Sequence, residues 1–236
     1  ETGQIGAPGD YAELQLSPDG QKAALTINDP RTLSGDLWIQ DLVRDTRTRF
    51  VSGATDDSEA VWSPDGRRLA YFSCCEDEST LHIKDSGDTG KGKLPVKDQQ
   101  FIAAKDWSRD GRFIIYEKDQ SELWVLPLLG DGKPYAFIQT QSSYPSARFS
   151  PDGRWVAFVS EETGRPEVYV TRFDKPGEKW RISTDGGNLP RWRRDGRELF
   201  YLMTDGKVMA VEIKPGTEFN AGAPALLFKA DPLSKD

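Results

Sequence analysis

The sequence predicts an all-β fold: a propeller of five four-stranded antiparallel blades. Three observations predict it. A short phrase returns five times, as Ser17-Pro18-Asp19-Gly20, Ser63-Pro64-Asp65-Gly66, Ser108-Arg109-Asp110-Gly111, Ser150-Pro151-Asp152-Gly153 and Arg193-Arg194-Asp195-Gly196, at spacings of 46, 45, 42 and 43 residues. Self-similarity at about 40–50 residues is the signature of propeller blades and related arrays. An apolar run follows each phrase, and two further strand-like segments complete each unit. No segment carries a sustained 3.6-residue apolar period, so almost no helix is expected.

The phrase has the chemistry of a tight turn. Proline presets φ near −65° at the second position, serine and aspartate hydrogen-bond nearby backbone groups, and glycine takes the left-handed conformation that closes the turn. Asp19-Gly20, Asp65-Gly66, Asp110-Gly111, Asp152-Gly153 and Asp195-Gly196 persist in all five copies, whereas arginine replaces proline in the third and fifth. The turn therefore depends most on its last two residues.

The flanks complete a hairpin. Leu16, Trp62, Trp107, Phe149 and Trp192 each stand one residue ahead of the turn. After it come Ala23-Ala24-Leu25, Leu69-Ala70-Tyr71, Ile114-Ile115-Tyr116, Val156-Ala157-Phe158 and Leu199-Phe200-Tyr201. These runs are continuous rather than alternating, and a strand that is apolar on both sides is buried on both faces. A blade sandwiched between two neighbours meets that demand. Third strands are expected at Leu37-Trp38-Ile39, Leu81-His82-Ile83, Leu123-Trp124-Val125, Val168-Tyr169-Val170 and Val208-Met209-Ala210. Weaker fourth strands are expected near 47–51, 93–96, 135–138, 179–182 and 225–228. The blades then run over about 10–52, 53–98, 99–140, 141–184 and 185–230 of a single domain, with 231–236 a frayed tail.

Composition narrows the function classes. The net charge of −7 argues against nucleic acid, whose phosphates need a basic surface. No apolar run approaches the roughly 18 residues of a membrane-spanning helix, so no membrane insertion is expected. The basic cluster Arg191, Arg193, Arg194 and Arg197 sits on a repeat turn and reads as a solvated hairpin tip. The recurring Arg67, Arg112, Arg154 and Arg197 read as guanidinium groups that pair with the turn aspartate or lie over aromatics. Cys74 and Cys75 are adjacent, which disfavours a disulfide between them; they read as thiols in the loop before Leu81.

No residue set for catalysis stands out. The single histidine, His82, falls in the column of Trp38, Trp124, Tyr169 and Met209 and reads as a packing residue. No nucleophile elbow, zinc motif or phosphate loop is present. Acidic clusters such as Asp56-Asp57-Ser58-Glu59 read as solvated loops. No catalytic residue, metal ligand or cofactor is assigned; calcium is compatible with the many carboxylates but is not predicted.

What differs between units points to binding. The segments entering each first strand carry Tyr11, Glu59, Phe101, Tyr144 and Asn188, which the repeat does not dictate. In a propeller they gather at one mouth of the channel, where aromatic and polar groups suit a protein or small-molecule ligand.

The phrase spanning Trp62 to Tyr71 resembles the WD40-like propeller repeat of the TolB-like family, and the resemblance covers essentially the whole chain. Gly9 to Phe50, and Arg191 to Tyr201 with Met209-Ala210-Val211 and Gly222-Ala223-Pro224, resemble the propeller region attached to bacterial serine/threonine kinases and transcriptional regulators. The resemblance implies an interaction or sensing module, part of a larger bacterial protein, non-enzymatic and extracytoplasmic (periplasmic). The family usually has six blades where this chain shows five, so either the five close into a ring or flanking sequence supplies a sixth; if the ring is open, a dimer or larger assembly is expected. The alternative is a carboxylate-based glycoside hydrolase on a five-bladed propeller, to be distinguished by carboxylates converging about 5–10 Å apart.

Overall fold

The structure, a computed structural model, describes residues 9–29, 34–51, 56–75, 78–88, 90, 92–142 and 145–229. Its regular structure is all β. Five sheets of four antiparallel strands each follow in chain order, so every blade is a simple meander. Blade 1 comprises β1 (Tyr11–Leu16), β2 (Lys22–Asn28), β3 (Gly35–Asp41) and β4 (Thr46–Arg49). Blade 2 comprises β5 (Asp56–Trp62), β6 (Arg68–Cys75), β7 (Glu78–Asp85) and β8 (Lys93–Asp98). Blade 3 comprises β9 (Ile102–Trp107), β10 (Phe113–Lys118), β11 (Glu122–Pro127) and β12 (Tyr135–Gln139). Blade 4 comprises β13 (Ala147–Phe149), β14 (Trp155–Ser160), β15 (Glu167–Arg172) and β16 (Lys179–Arg181). Blade 5 comprises β17 (Asn188–Trp192), β18 (Glu198–Leu202), β19 (Lys207–Glu212) and β20 (Ala225–Lys229). The fold class is that of a propeller with five four-stranded blades.

The repeated turn explains itself at the atomic level. In the four copies that begin with serine, the serine hydroxyl donates to the aspartate Oδ1 over 2.6, 2.6, 2.7 and 2.6 Å. The same hydroxyl accepts the backbone N–H five residues on at 2.9 Å each time. The aspartate Oδ1 also accepts the N–H of the residue after glycine at 3.0–3.1 Å in all five copies. The glycines hold φ between +67° and +75°, the left-handed region in which a side chain is strained. Proline only presets one angle, and so arginine replaces it without loss of the turn. In the fifth copy Arg193 takes the place of serine and donates from Nε to Asp195 Oδ1 at 2.8 Å.

Two compact units, residues 1–107 and 108–236, each have their own core. In the first, Ala24, Leu37 and Ile39 of blade 1 pack with Ala60, Trp62, Leu69 and Tyr71 of blade 2. In the second, Val156, Phe158 and Tyr169 of blade 4 pack with Ile115, Leu123 and Val125 of blade 3. Blade 4 turns its other face, with Trp155, Ala157, Val159, Val168 and Val170, to Leu199, Tyr201, Val211 and Ile213 of blade 5. All six residues of β14 are buried, as the continuous apolar run requires. Blades are also tied through the tryptophan ahead of the turn: Trp62 Nε1 donates to Gln15 O at 3.0 Å, and Trp192 Nε1 to Arg148 O at 3.1 Å.

His82 lies on β7 opposite Tyr71 and stacks on its ring, with centroids 5.2 Å apart. Trp38, Trp124, Tyr169 and Met209 occupy the matching cross-strand positions opposite Leu25, Tyr116, Phe158 and Tyr201. Two readings are corrected. Cys74 and Cys75 do not lie in a loop, because β6 extends through Cys75 and pairs with β7 to its end. The acidic run at 56–59 is not a solvated loop. It is part of β5: Asp57 is 1% exposed, and Asp56 Oδ1 accepts the Gly35 N–H at 2.7 Å.

Candidate functional site

The most distinctive polar grouping lies in the first unit, on the first strands of three successive blades. Glu13 stands on β1, Glu59 on β5 and Lys105 on β9. Local backbone geometry brings the first two together. The register of β5 shifts between Ser58 and Val61, and that of β1 between Tyr11 and Glu13. Such bulges re-aim side chains and expose backbone groups. At the β5 bulge Glu59 takes φ +52°, a left-handed conformation uncommon for a residue with a side chain. Its freed N–H donates to Glu13 Oε2 at 2.8 Å. The Thr26 hydroxyl donates to the same oxygen at 3.4 Å. On the far side, Lys105 Nζ pairs with Glu59 Oε2 at 3.1 Å, and both side chains are largely buried.

This geometry sets the electrostatics. Burial, and then the adjacent Glu59 carboxylate, push Glu13 up from 4.5 to about 7, while the hydrogen bond from the Glu59 N–H and, less, Lys105 partly offset the rise. The negative charge of the Glu59 side chain disfavours a second one on Glu13 and so favours its protonated form. Glu13 can therefore take up or release a proton near neutrality, beside the Glu59–Lys105 ion pair. Among the described residues, no three His, Cys, Asp or Glu side chains are grouped so as to hold a metal ion.

The five sequence-predicted site residues have different surroundings. Glu59 is part of the grouping. Tyr11 opens β1 with 39% of its surface exposed; its hydroxyl accepts from Arg47 Nη2 at 2.6 Å, and the guanidinium lies over the ring. Phe101 precedes β9 and packs on Phe72 with ring centroids 5.0 Å apart, so it belongs partly to the core. Asn188, in the second unit, opens β17 beside a bulge at which Leu189 takes φ +51°. Tyr144 lies outside the described residues. Glu13 and Lys105 were not anticipated. The signal for Glu13 was present: four residues before the turn the chain reads Glu13 and Glu59, but Ala104, Ser146 and Leu189 in the other three units.

The recurring arginines behave as structural groups where they are paired. Arg112 Nε donates to Asp110 Oδ2 and Arg154 Nε to Asp152 Oδ2, both at 2.6 Å.

No family model matches the chain. Among curated proteins it is similar to the uncharacterized peptidase YuxL of Bacillus subtilis, 22% identical over 205 residues, covering 66% of this chain and 31% of the relative. It is also similar to the Tol-Pal system protein TolB of Bordetella pertussis, 28% identical over 117 residues, covering 48% of this chain and 26% of the relative. The chain thus spans about a third or less of the curated relatives it matches. Among solved structures it resembles a putative TolB from Agrobacterium tumefaciens, with a TM-score of 0.74, 20% identity, and coverage of 94% of this chain and 82% of that one. The fold is a TolB-like propeller.

Proposed function

We propose that this chain is a non-enzymatic binding module whose ligand or partner engages the Glu13–Glu59–Lys105 grouping, with Tyr11 as an exposed aromatic contact on the same strand as Glu13. The observation that carries the reading is that three charged groups are held half-buried on successive first strands in a pattern the repeat does not require. Structural reasons for a residue recur from blade to blade, as the turn aspartates do. Holding charge away from water is costly unless it is paired, as Lys105 is with Glu59. We place the protein outside the cytoplasm, as a part of a larger bacterial protein, by analogy with the Tol-Pal relatives.

A thermal-shift panel of amino acids, short peptides, and neutral and acidic oligosaccharides tests this reading. A ligand that stabilises the wild type but not the Glu13→Gln/Lys105→Met double variant supports it. A stabilising ligand equally effective on both overturns it.

One observation favours a second reading. A carboxyl pushed to about 7 beside a second carboxylate has the titration expected of a general acid or base. That is the environment of a carboxylate-based glycoside hydrolase. Against it, glycosidase carboxyls stand open to the sugar or water, whereas Glu13 Oε2 is already taken up by the Glu59 N–H and the Thr26 hydroxyl. Hydrolysis of any oligosaccharide in the panel, lost in Glu13→Gln, would replace the binding reading with this one.

A further inference from the structure

Blade 5 departs from the repeat in the connection between its third and fourth strands. Residues 213–224 make twelve positions there, where the other four blades use four to seven. The added length is held in place by specific contacts. The Ile213 N–H donates to Arg197 O at 2.8 Å and the Lys214 N–H to Asn220 O at 2.9 Å. Gly216 O accepts from Arg154 Nη1 at 2.9 Å. Phe219 is buried, with its ring centroid 5.2 Å from those of Trp155 and Trp180. Between this connection and the turns of blades 4 and 5 lies a cavity of about 290 Å³, at the small end of ligand sites.

The polar groups lining the cavity divide into used and unused. Asp152 Oδ2 accepts from Arg154 Nε at 2.6 Å, and Asp195 Oδ2 from Arg193 Nη2 at 2.5 Å, so both turn carboxylates are already paired. Three donors of the lining have no hydrogen-bond acceptor among the described residues: the Arg197 guanidinium, the Lys214 ammonium and the Trp155 indole N–H. Trp155 is only 6% exposed, so the cavity is where its N–H can find an acceptor. The matching N–H groups of Trp62 and Trp192 are satisfied by backbone carbonyls. The third lining acid, Glu218, is exposed, and its charge acts on Arg172. With the two paired aspartates set aside, two cations face one carboxylate. Trp192 and Phe219 add an apolar wall.

We propose that this cavity binds a small carboxylate with an apolar body. Its oxygens are taken by Arg197, Lys214 and the Trp155 N–H, and its body lies against Trp192 and Phe219. A carboxylate supplies the acceptors that all three unused donors lack, and such charge-assisted hydrogen bonds are the stronger kind.

Proton–nitrogen correlation NMR of the tryptophan indole groups tests this, with hydrocinnamate as the probe and the Trp155 signal assigned by its loss in Trp155→Phe. Hydrocinnamate at up to about 10 mM is expected to move the Trp155 signal along a saturable curve. The Arg197→Met/Lys214→Met double variant, changed only at exposed side chains, weakens binding at least about tenfold. Arg67→Met, the equivalent of Arg197 in the second repeat, leaves it unchanged. Phenethylamine has a similar body with the opposite charge and does not bind. A Trp155 signal that hydrocinnamate does not move, equal binding of phenethylamine, or affinity that survives the double variant overturns the proposal.

Discussion

The Glu59 backbone N–H donates to Glu13 Oε2 at 2.8 Å, joining the first strands of blades 1 and 2 through a bulge. With Glu13 raised from 4.5 to about 7, the folded protein holds a proton there that the unfolded chain has lost. The folded state thus binds more protons between about pH 4.5 and 7, so this group makes stability fall as pH rises through that window and level off above it. Glu13→Gln removes the effect. The variant is expected to match the wild type near pH 4.5 and to exceed it above pH 7 by at most about 3 kcal/mol. Urea denaturation at pH 5 and 8 measures the difference, and a gap independent of pH contradicts the assignment.

The repeated turn makes two separable predictions. Asp152→Ala loses the contacts to the Ser150 hydroxyl and the Arg154 N–H and is expected to cost about 1–2 kcal/mol. Gly153→Ala meets nothing within 4 Å of its new methyl group but sits at φ +71°, so it costs about 1–2 kcal/mol through backbone strain alone. Equilibrium denaturation reads both. A neutral Gly153→Ala would show that the turn relaxes into another form.

Phe158 is fully buried between blades 3 and 4 and stacks on Tyr169. Phe158→Ala is expected to lose about 3–5 kcal/mol. A loss below 1 kcal/mol would mean that the blade-to-blade packing is far looser than the structure describes.

Tyr11 makes the opposite prediction. It is exposed, and its hydroxyl contact is with Arg47. Tyr11→Ala is expected to weaken ligand binding by roughly 10–100-fold while moving the melting temperature by less than about 2 °C. Calorimetry against the ligand found in the panel separates the two effects, and a large fall in melting temperature would place Tyr11 in the core instead.

The fold was legible because its cause is periodic. Asp-Gly turns, the tryptophan ahead of the turn and the doubly apolar second strands each recur, so a single column of the repeat gives their meaning. His82 was placed as a packing residue in the same way. The site was only half legible. Glu59 was singled out, yet its neighbours at Asp56 and Asp57 were misread as solvated, because a bulge inserts one residue and breaks the alternation that sequence counting relies on. Lys105 joins Glu59 from another blade, and no local pattern announces a contact 46 positions away.

The central claim is that Glu13 holds its proton to about pH 7 because it is buried beside Glu59. Carbon-detected NMR titration of the glutamate carboxyls measures this most directly, with Glu13 assigned through Glu13→Gln. The account predicts a Glu13 midpoint near 7 in the wild type, displaced downward in Glu59→Gln as the neighbouring charge is removed. A wild-type midpoint near 4.5, unchanged by Glu59→Gln, would contradict it.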